Sequence, residues 1–322
     1  MYNFKELKDN IAYLVQRQSD DDYKSNILGM LVNTSLLFLF NIYDYYIELQ
    51  DIHNFTTVDA TENYYMPSRF DKPLRIYDLT NDKKLKVITE EEYFDANIAA
   101  VADATKEKSP SFFRLYGVSG VKANISSSGT VIKALSSNSV DISTSAALKI
   151  VRIEGYIDSD FETLDYENLT LNGTTVITGT KTFYKITHSS KSADTTGYIT
   201  LRNSSDTEVG ILNPTDRVVL YKIAKLGKIP NQANSMRVLY KRRFFKMIND
   251  YDFPFTEDAD GFLVYNAAAL AFEQDKETIE RAITMKNRAL EELKIFLQNK
   301  QGKLGPDYQH KIISAFAQAH RQ

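Results

Sequence analysis

The sequence predicts an α+β protein in which a helical bundle core of about four to five helices, with a small β-region, is interrupted by an inserted all-β sandwich of immunoglobulin type. Helical periodicity is confined to the two ends of the chain. From residue 117 to about residue 217 the composition shifts to Ser, Thr, Asn, Gly, Val and Ile in short alternating runs. The 322 residues, 43 % of them hydrophobic, are enough for one large domain or two.

The longest apolar segment predicts a central helix within Ser19–Asp51. The acidic run Asp20–Asp22 provides an N-cap and negative charge in the first turn. Nearly every position of Ile27–Ile42 is apolar, so this helix has to be covered on most of its sides. We expect four of its side chains to form the core of the fold or of an oligomer: Leu31, Leu36, Phe38 and Phe40.

Shorter elements lie on either side of this helix. An amphipathic first helix is predicted by five apolar positions with charged residues between them: Phe4, Leu7, Ile11, Leu14 and Val15. Short β-forming runs after Asp51 predict the small β-region. Thr89–Glu92 has the capping-box pattern that opens a short helix through Asp103, and Ser109–Gly117 predicts a strand.

The middle of the chain predicts the sandwich. About seven short strands alternate apolar and polar residues, and Asn172-Gly173 is a strong two-residue hairpin signal. The segments on both sides, Phe112–Tyr116 and Val218–Tyr221, are strand-like, which indicates an insertion. We therefore divide the chain into a core of residues 1–117 and 219–301, a sandwich of residues 118–218 and a C-terminal arm of residues 302–322.

The C-terminal part returns to helical periodicity after Gly261. The apolar face of its long helix is predicted at Ile279, Ile283, Leu290, Leu293 and Leu297. Gly302 and Pro306 end that helix and allow a separate terminal helix. The arm then carries an apolar stripe at Tyr308, Ile312, Ile313 and Phe316. Such a stripe implies either a partner groove or packing back on the bundle.

Composition and charge exclude several classes of protein. The formal charge of −3 argues against a general nucleic-acid binder. The basic and aromatic run Lys241–Phe245 is more typical of a protein interface or a strand edge than of a DNA contact. Without cysteine, disulfides and Cys-based zinc sites are excluded. Asn33 and Asn41 interrupt the apolar run, so no membrane span is predicted, and the N-terminal segment lacks the apolar region of a signal peptide.

The sequence predicts neither an enzyme nor a metal or cofactor site. No GxSxG, P-loop, HExxH or GxGxxG pattern occurs in a suitable setting. Asp158-Ser-Asp160 lacks the glycine and the distal glutamate of a calcium loop, so we interpret it as a solvated turn. The four histidines have no metal-ligand spacing: His53, His188, His310 and His320.

The order of these features resembles the head-to-tail adaptor (connector) proteins of tailed bacteriophages. LVNTSLLFLFNIYDYYIEL resembles the family's long second helix, and FTTVDATENYYMP resembles its strand that ends in a tyrosine-x-proline corner. IYDLTNDKKLKVITEEEYF and SPSFFRLYG resemble the strand, helix and strand that follow. Ile229-Pro230, Arg237–Lys241 and Asn249–Asp252 resemble the return strand and its acidic turn. The chain departs from the family in its long C-terminal extension and in having Tyr45 and Tyr46 where a tryptophan is usual.

The resemblance covers residues 1–117 and 219–301, and it implies a structural virion protein. Members form a ring homo-oligomer, expected to be a dodecamer, between the portal and the tail or nozzle proteins. Genomic DNA passes through the channel, without sequence-specific binding, when the viral genome is ejected. The resemblance implies a place in the virion neck after assembly in the host cytoplasm. It also implies that the arm docks on the portal through Leu304, Tyr308, Ile312, Ile313 and Phe316.

A second function remains open from the sequence, namely carbohydrate or cell-surface binding through the sandwich. Its candidate stacking residues are four tyrosines: Tyr156, Tyr166, Tyr184 and Tyr198. The absence of tryptophan weakens this hypothesis. The two functions differ in one expectation, because only an adaptor has to oligomerise through its helical part.

Overall fold

The computed structural model describes residues 1–17, 20–21, 23–42, 47–59, 61, 63–89, 91–92, 109–122, 125, 127–144, 147–227, 229–274 and 279–299. The chain forms two compact units. The first, called here the helical unit, combines Met1–Gln50 with Lys241–Gln322. The second, called here the β-unit, is Asp51–Tyr240. The first 50 residues therefore share a unit with the described residues from Lys241 to Asn299.

The predicted fold class is wrong in its balance of helix and strand. Strands make up 37 % of the chain and helices 27 %, and the strands form four sheets. The protein is therefore mostly β and is not a helical bundle with a small β-region. The cause is physical: the strands outside the sandwich pair largely with strands distant in sequence, so local periodicity does not reveal the sheets that they build.

The helical unit contains the four helices of the described residues. They are α1 (Phe4–Leu14), α2 (Gly29–Ile42), α3 (Asp260–Gln274) and α4 (Ile279–Asn299). A capping box begins α1: the Glu6 N–H donates to Asn3 Oδ1 at 2.9 Å, and the Asn3 N–H donates to Glu6 Oε2 at 2.8 Å. Phe4, Leu7 and Ile11 of α1 are buried, which confirms the predicted amphipathic helix.

The predicted central helix is present and consists of two parts. A π-helical turn, Tyr23–Leu28, comes first, and the α-helical part is Gly29–Ile42. Asp20 acts as the predicted N-cap, since its Oδ1 accepts a hydrogen bond from the Tyr23 N–H at 2.9 Å. The helix α2 is covered on most of its sides, and its exposed stripe consists of Met30, Thr34, Leu37 and Asn41.

The predicted apolar face of α4 is only partly correct. Ile279 and Ile283 are exposed, at 63 % and 52 %. The buried face instead carries Ala282, Ala289, Leu293, Phe296 and Leu297. Small side chains explain the difference, because they let α4 approach the alanine-rich α3 closely, and the larger isoleucines turn outward.

Sixteen strands are present in the described residues. They are β1 (Gln50–Thr56), β2 (Asn63–Tyr65), β3 (Phe70–Asp78), β4 (Lys83–Lys84), β5 (Lys86–Val87), β6 (Phe112–Ser119), β7 (Thr130–Ser136), β8 (Ile150–Tyr156), β9 (Leu164–Thr170), β10 (Ile177–Phe183), β11 (Lys185–Lys191), β12 (Ile199–Arg202), β13 (Glu208–Leu212), β14 (Val218–Val219), β15 (Tyr221–Gly227) and β16 (Ser235–Arg242). Two sheets, ordered β1-β16-β3-β4 and β2-β15-β6-β5, share a core around Phe70, Phe113 and Val238.

The sandwich consists of the other two sheets, ordered β10-β7-β12-β13 and β14-β11-β8-β9. Its core includes Ile132, Ile153, Phe183 and Leu201. Gly173 has a φ of +57° in the predicted Asn172-Gly173 turn, a conformation that favours glycine. Buried residues alternate with less buried ones in β7 and β8, which is the sandwich pattern read from the sequence.

The capping box predicted at Thr89 is also present. The Glu92 N–H donates to Thr89 Oγ1 at 3.1 Å, and the Thr89 N–H donates to Glu92 Oε2 at 2.8 Å. The helix predicted from there through Asp103 lies outside the described residues after Glu92. Tyr45 and Tyr46 likewise lie outside them, and so does the whole C-terminal arm.

The chain enters and leaves the sandwich on adjacent strands. In the antiparallel pair of β6 and β15, Ser119 lies opposite Tyr221 and Gly117 lies opposite Ile223. The intervening residues 120–220 therefore form a loop between two paired strands. A domain joined in this way can be removed without separating the strands that hold the rest of the β-unit together.

Replacing residues 120–220 by a short Gly-Ser turn is expected to leave a folded protein. The pairing of β6 with β15 would then close as a simple hairpin, and the core around Phe113 would remain intact. Thermal unfolding followed by far-UV circular dichroism measures the outcome. As a control, residues 120–220 expressed alone should also fold, because they contain nearly all of the sandwich core. An aggregated or unfolded deletion product would show that the sandwich is required for the remaining fold.

Candidate interaction surface

The four α2 residues predicted for the core or the oligomer lie mostly inside the helical unit. Leu31, Leu36 and Phe40 are buried, and Phe38 is half-buried with its ring centroid 5.8 Å from that of Phe262. Their role is therefore to pack α2 against the rest of its own unit. Five further residues predicted to dock on the portal lie outside the described residues: Leu304, Tyr308, Ile312, Ile313 and Phe316.

The basic residues at the end of β16 make contacts within the helical unit. Lys241 is buried, its Nζ donates to the Phe40 carbonyl at 2.5 Å, and it lies 3.7 Å from the centroid of the Phe40 ring. Arg242 donates to the carbonyl of Glu48. These two cations stabilise the end of α2 and the turn after it, so they are not available to nucleic acid.

The segment that follows exposes four large apolar side chains within nine residues. We call residues 245–253 the exposed loop. Tyr251 is 85 % exposed, and Phe245, Ile248 and Phe253 are each just over 50 % exposed. Apolar side chains this close together on a surface are typical of a protein interface, whereas single exposed ones are common everywhere.

Hydrogen bonds hold the exposed loop in place. The side chain of Asn33 on α2 binds Met247 twice: the Met247 N–H donates to Asn33 Oδ1 at 2.8 Å, and Asn33 Nδ2 donates to the Met247 carbonyl at 3.0 Å. Asp252 Oδ2 accepts from the N–H groups of Ile248 and Asn249, at 2.6 and 2.8 Å. The buried Met247 anchors the middle of the loop while its neighbours remain outside.

The start of α1 holds the other side of the exposed loop. The Phe4 N–H donates to the Asp252 carbonyl at 2.8 Å, and the Lys5 N–H donates to the Asp250 carbonyl at 3.1 Å. Lys8 Nζ lies 2.7 Å from Asp250 Oδ1, and this ion pair lowers the pKa of the Asp250 carboxyl. The loop is thus preorganised, which reduces the entropy lost when it binds a partner.

A cavity of about 470 Å³ lies on the other side of α1, where α1 meets the beginning of α3 and the middle of α4. Its walls include Tyr2, Tyr13, Val264, Tyr265 and the carboxylate-bearing Glu292. Tyr13 is 70 % exposed at its rim. The cavity is therefore lined by aromatic rings with negative charge beside them.

Asp260 contributes a second carboxylate to this cavity. Its Oδ2 accepts from the Tyr2 N–H at 2.9 Å and lies 3.2 Å from the Met1 ammonium. Its Oδ1 is buried and has no hydrogen-bond partner within the described part of the chain. Among the described residues, Glu292 forms no ion pair. The cavity thus carries two carboxylates, of which Asp260 faces the Met1 ammonium, while the Arg288 guanidinium lies 5.7 Å from the centroid of the Tyr265 ring in its wall.

The tyrosines of the sandwich are poorly placed for stacking on a sugar. The Arg152 guanidinium lies 3.8 Å from the centroid of the Tyr166 ring, and Lys185 Nζ lies 5.7 Å from that of Tyr156. Tyr198 is half-exposed and Tyr184 is half-buried. Cations already interact with the ring faces of Tyr156 and Tyr166, so the four residues do not present a common stacking platform.

The remaining candidates from the sequence have local structural roles. The Thr163 side chain, together with the N–H groups of Glu162 and Thr163, donates hydrogen bonds to Asp158 and holds the pKa of its carboxyl below the usual range. Burial lowers the pKa of His53, and its ring lies 5.7 Å from Phe55. His188 is half-exposed, while His310 and His320 lie outside the described residues.

Within the ranges that the structure describes, no group of three or more His, Asp or Glu side chains could hold a metal ion. In the same ranges, no helix has the length and apolarity needed to cross a membrane. The sequence alone did not locate the exposed loop or the cavity. The only sequence signal for the loop was the density of aromatic residues from Phe244 to Phe255.

Comparison with known proteins assigns no family to the chain. No protein-family model matches it, and no curated protein matches it. The resemblance to phage adaptors therefore rests on the residues quoted for it above. Function has to be argued from those residues and from the surfaces of the two units.

Proposed function

We propose that this protein is a structural virion component, a ring-forming head-to-tail adaptor that binds the portal and the tail and forms part of the DNA channel. The observation that carries this proposal is the exposed loop. Hydrogen bonds fix the backbone of this loop, and four of its large apolar side chains are exposed to water. A fold gains no stability from holding such side chains outside, so the surface favours a role in binding protein.

The chemistry of the described residues supports an assembly role. The basic residues Lys241 and Arg242 bind carbonyl groups of their own unit. The formal charge of −3 suits a channel wall that lets DNA pass without binding its sequence. On this proposal the protein works in the virion neck after assembly in the host cytoplasm. Its partners are the portal, the tail or nozzle proteins and other copies of itself, twelve in a ring by family resemblance.

The arm is the part of the chain that we assign to the portal. Its apolar stripe at residues 308–316 would fold as a helix into a groove of the portal ring, because so short a helix is marginal alone in water. The alternative is that the arm packs on its own helical unit. If the arm docks on the portal, changing it should abolish portal binding alone. If it packs on its own unit, changing it should destabilise the fold.

The test of the proposal is a portal-binding assay with the portal protein from the same genome. One variant ends at Gln301, and a second carries Ile312→Asp and Phe316→Asp. Both are expected to fold and self-associate like the wild type but to lose portal binding. A matched control, His310→Asp with Gln318→Asp, places the same charges on other faces of the helix and should still bind. Portal binding that survives both test changes would exclude the docking role.

A further inference from the structure

We infer that the exposed loop of one copy binds in the cavity beside α1 of a second copy, so that these two surfaces form the joint of the ring. This inference rests on the proposed function and adds to it the residues that make the contact. The loop supplies Phe245, Lys246, Ile248, Tyr251 and Phe253. The cavity supplies the walls around Tyr13, Tyr265 and Glu292.

The positions of the two surfaces on α1 require a second copy. Lys5 and Lys8 face the exposed loop, whereas Asn10 and Tyr13 line the cavity. At about 100° per residue, Lys8 and Asn10 point roughly 160° apart around the helix. The buried stripe with Leu7 and Ile11 lies between them. Hydrogen bonds and an ion pair hold the loop on the Lys5 and Lys8 side of α1, and none of its residues lines the cavity of its own copy.

A contact between different surfaces of identical chains is head-to-tail. Each copy then offers a loop on one side and a cavity on the other, and repetition closes a ring when the rotation between copies allows it. An interface in which both copies use the same patch would stop at a dimer. The opposite placement of loop and cavity about α1 is thus the geometry that a ring requires.

Lys246 of the exposed loop and Glu292 of the cavity form a pair of opposite charges, since the loop's other charged groups already have partners: Asp250 pairs with Lys8, and Asp252 accepts from N–H groups of the loop. Lys246 is exposed and forms no ion pair within the described residues, and Glu292 likewise forms none there. The cavity, at about 470 Å³, falls within the range of about 300–1,000 Å³ of pockets that bury an inserted group. Tyr251, the most exposed aromatic side chain of the described residues, would meet the tyrosines of the wall, and such aromatic pairs favour edge or offset contacts.

A charge exchange tests the pairing of Lys246 with Glu292. Lys246→Glu and Glu292→Lys are each expected to weaken self-association at least about tenfold, because like charges then meet at the joint. The chain that carries both changes should recover self-association to within about threefold of the wild type. Lys83→Glu, on an exposed hairpin of the β-unit, is the matched control. Sedimentation velocity over a concentration series gives the association constants.

A mixing experiment tests the head-to-tail geometry. Tyr251→Ser keeps an intact cavity and Glu292→Lys keeps an intact loop, so each alone should be monomeric at a concentration where the wild type has just assembled. Mixed in equal amounts, they can form one intact joint and should stop at a pair. Tyr198→Ser, which removes an exposed tyrosine of the sandwich, should assemble like the wild type. Circular dichroism of every variant shows whether it is folded.

The results of these experiments distinguish failure of the loop–cavity contact from failure of the adaptor proposal. Rings from the wild type together with rings from Tyr251→Ser and from both charge variants would overturn the joint while leaving the adaptor proposal in place. A double charge variant that does not recover would also overturn the pairing. A wild-type chain that stays monomeric at every concentration, alone and with portal, would overturn both proposals.

Discussion

Replacing Leu36 by aspartate is expected to unfold the helical unit. Leu36 is 1 % exposed on α2, in a core shared with α1, α3 and α4. A carboxylate there would lose its hydration without gaining a partner, which costs at least about 4 kcal/mol of unfolding free energy. That loss is a large part of the stability of about 5–15 kcal/mol that is usual for a folded domain.

The adjacent residue provides the control for this change. Leu37 is 40 % exposed on the outer stripe of α2, so Leu37→Asp should lower the unfolding free energy by no more than about 1 kcal/mol. Urea unfolding followed by far-UV circular dichroism measures both variants. Equal stability of Leu36→Asp and the wild type would mean that α2 is not the packed centre of the unit.

Replacing Asp141 by asparagine is expected to destabilise the sandwich strongly. The Asp141 carboxylate is fully buried and accepts from the Ser136 hydroxyl at 2.6 Å and from Lys149 Nζ at 2.9 Å. The N–H groups of Thr196 and Gly197 also donate to it, both at 2.8 Å. Removing its charge leaves Lys149 without a counter-ion and turns an acceptor into a donor. The expected loss is about 3 kcal/mol of unfolding free energy.

The same carboxylate makes the stability of the sandwich depend on pH in the acidic range. Burial raises the pKa of Asp141, but the hydrogen bonds from Ser136, Lys149, Thr196 and Gly197 outweigh it and hold the pKa well below its usual range. A depressed folded-state pKa contributes stability above the unfolded-state value of about 3.9, and this contribution is lost as the pH falls below that value. The wild type should therefore lose stability below about pH 4 more steeply than Asp141→Asn.

A surface ion pair of the sandwich is the control for Asp141. Asp206 is 63 % exposed and pairs with Lys133 at 2.8 Å. Because solvent screens such a pair, Asp206→Asn should change the thermal unfolding of the protein little. Thermal melts at several pH values measure both variants. If Asp206→Asn and Asp141→Asn had equal effects, the buried network would not be the source of the stability.

The sequence predicted those parts of the fold that depend on local patterns. The spacing of Phe4, Leu7 and Ile11 predicted α1, the aspartate run gave the N-cap at Asp20, and strand alternation predicted the sandwich. These features follow from periodicity and capping, which act within one or two turns.

The remaining features depend on contacts between distant segments. The two extra sheets form because β16 pairs beside β1 and β3, and β15 pairs beside β2 and β6, over long sequence separations. The exposure of Tyr251 depends on the distant Asn33, which anchors Met247 and leaves its neighbours outside. The cavity depends on α1, α3 and α4 meeting. No local pattern in the sequence encodes these contacts.

The most direct test of the account is negative-stain electron microscopy of the full chain, alone and mixed with the portal protein from the same genome. The account predicts closed rings with a central channel, and rings stacked on the portal in the mixture. Single particles of the 36.7 kDa chain in both samples, without rings at any protein concentration, would contradict the claim that this protein is a ring-forming adaptor.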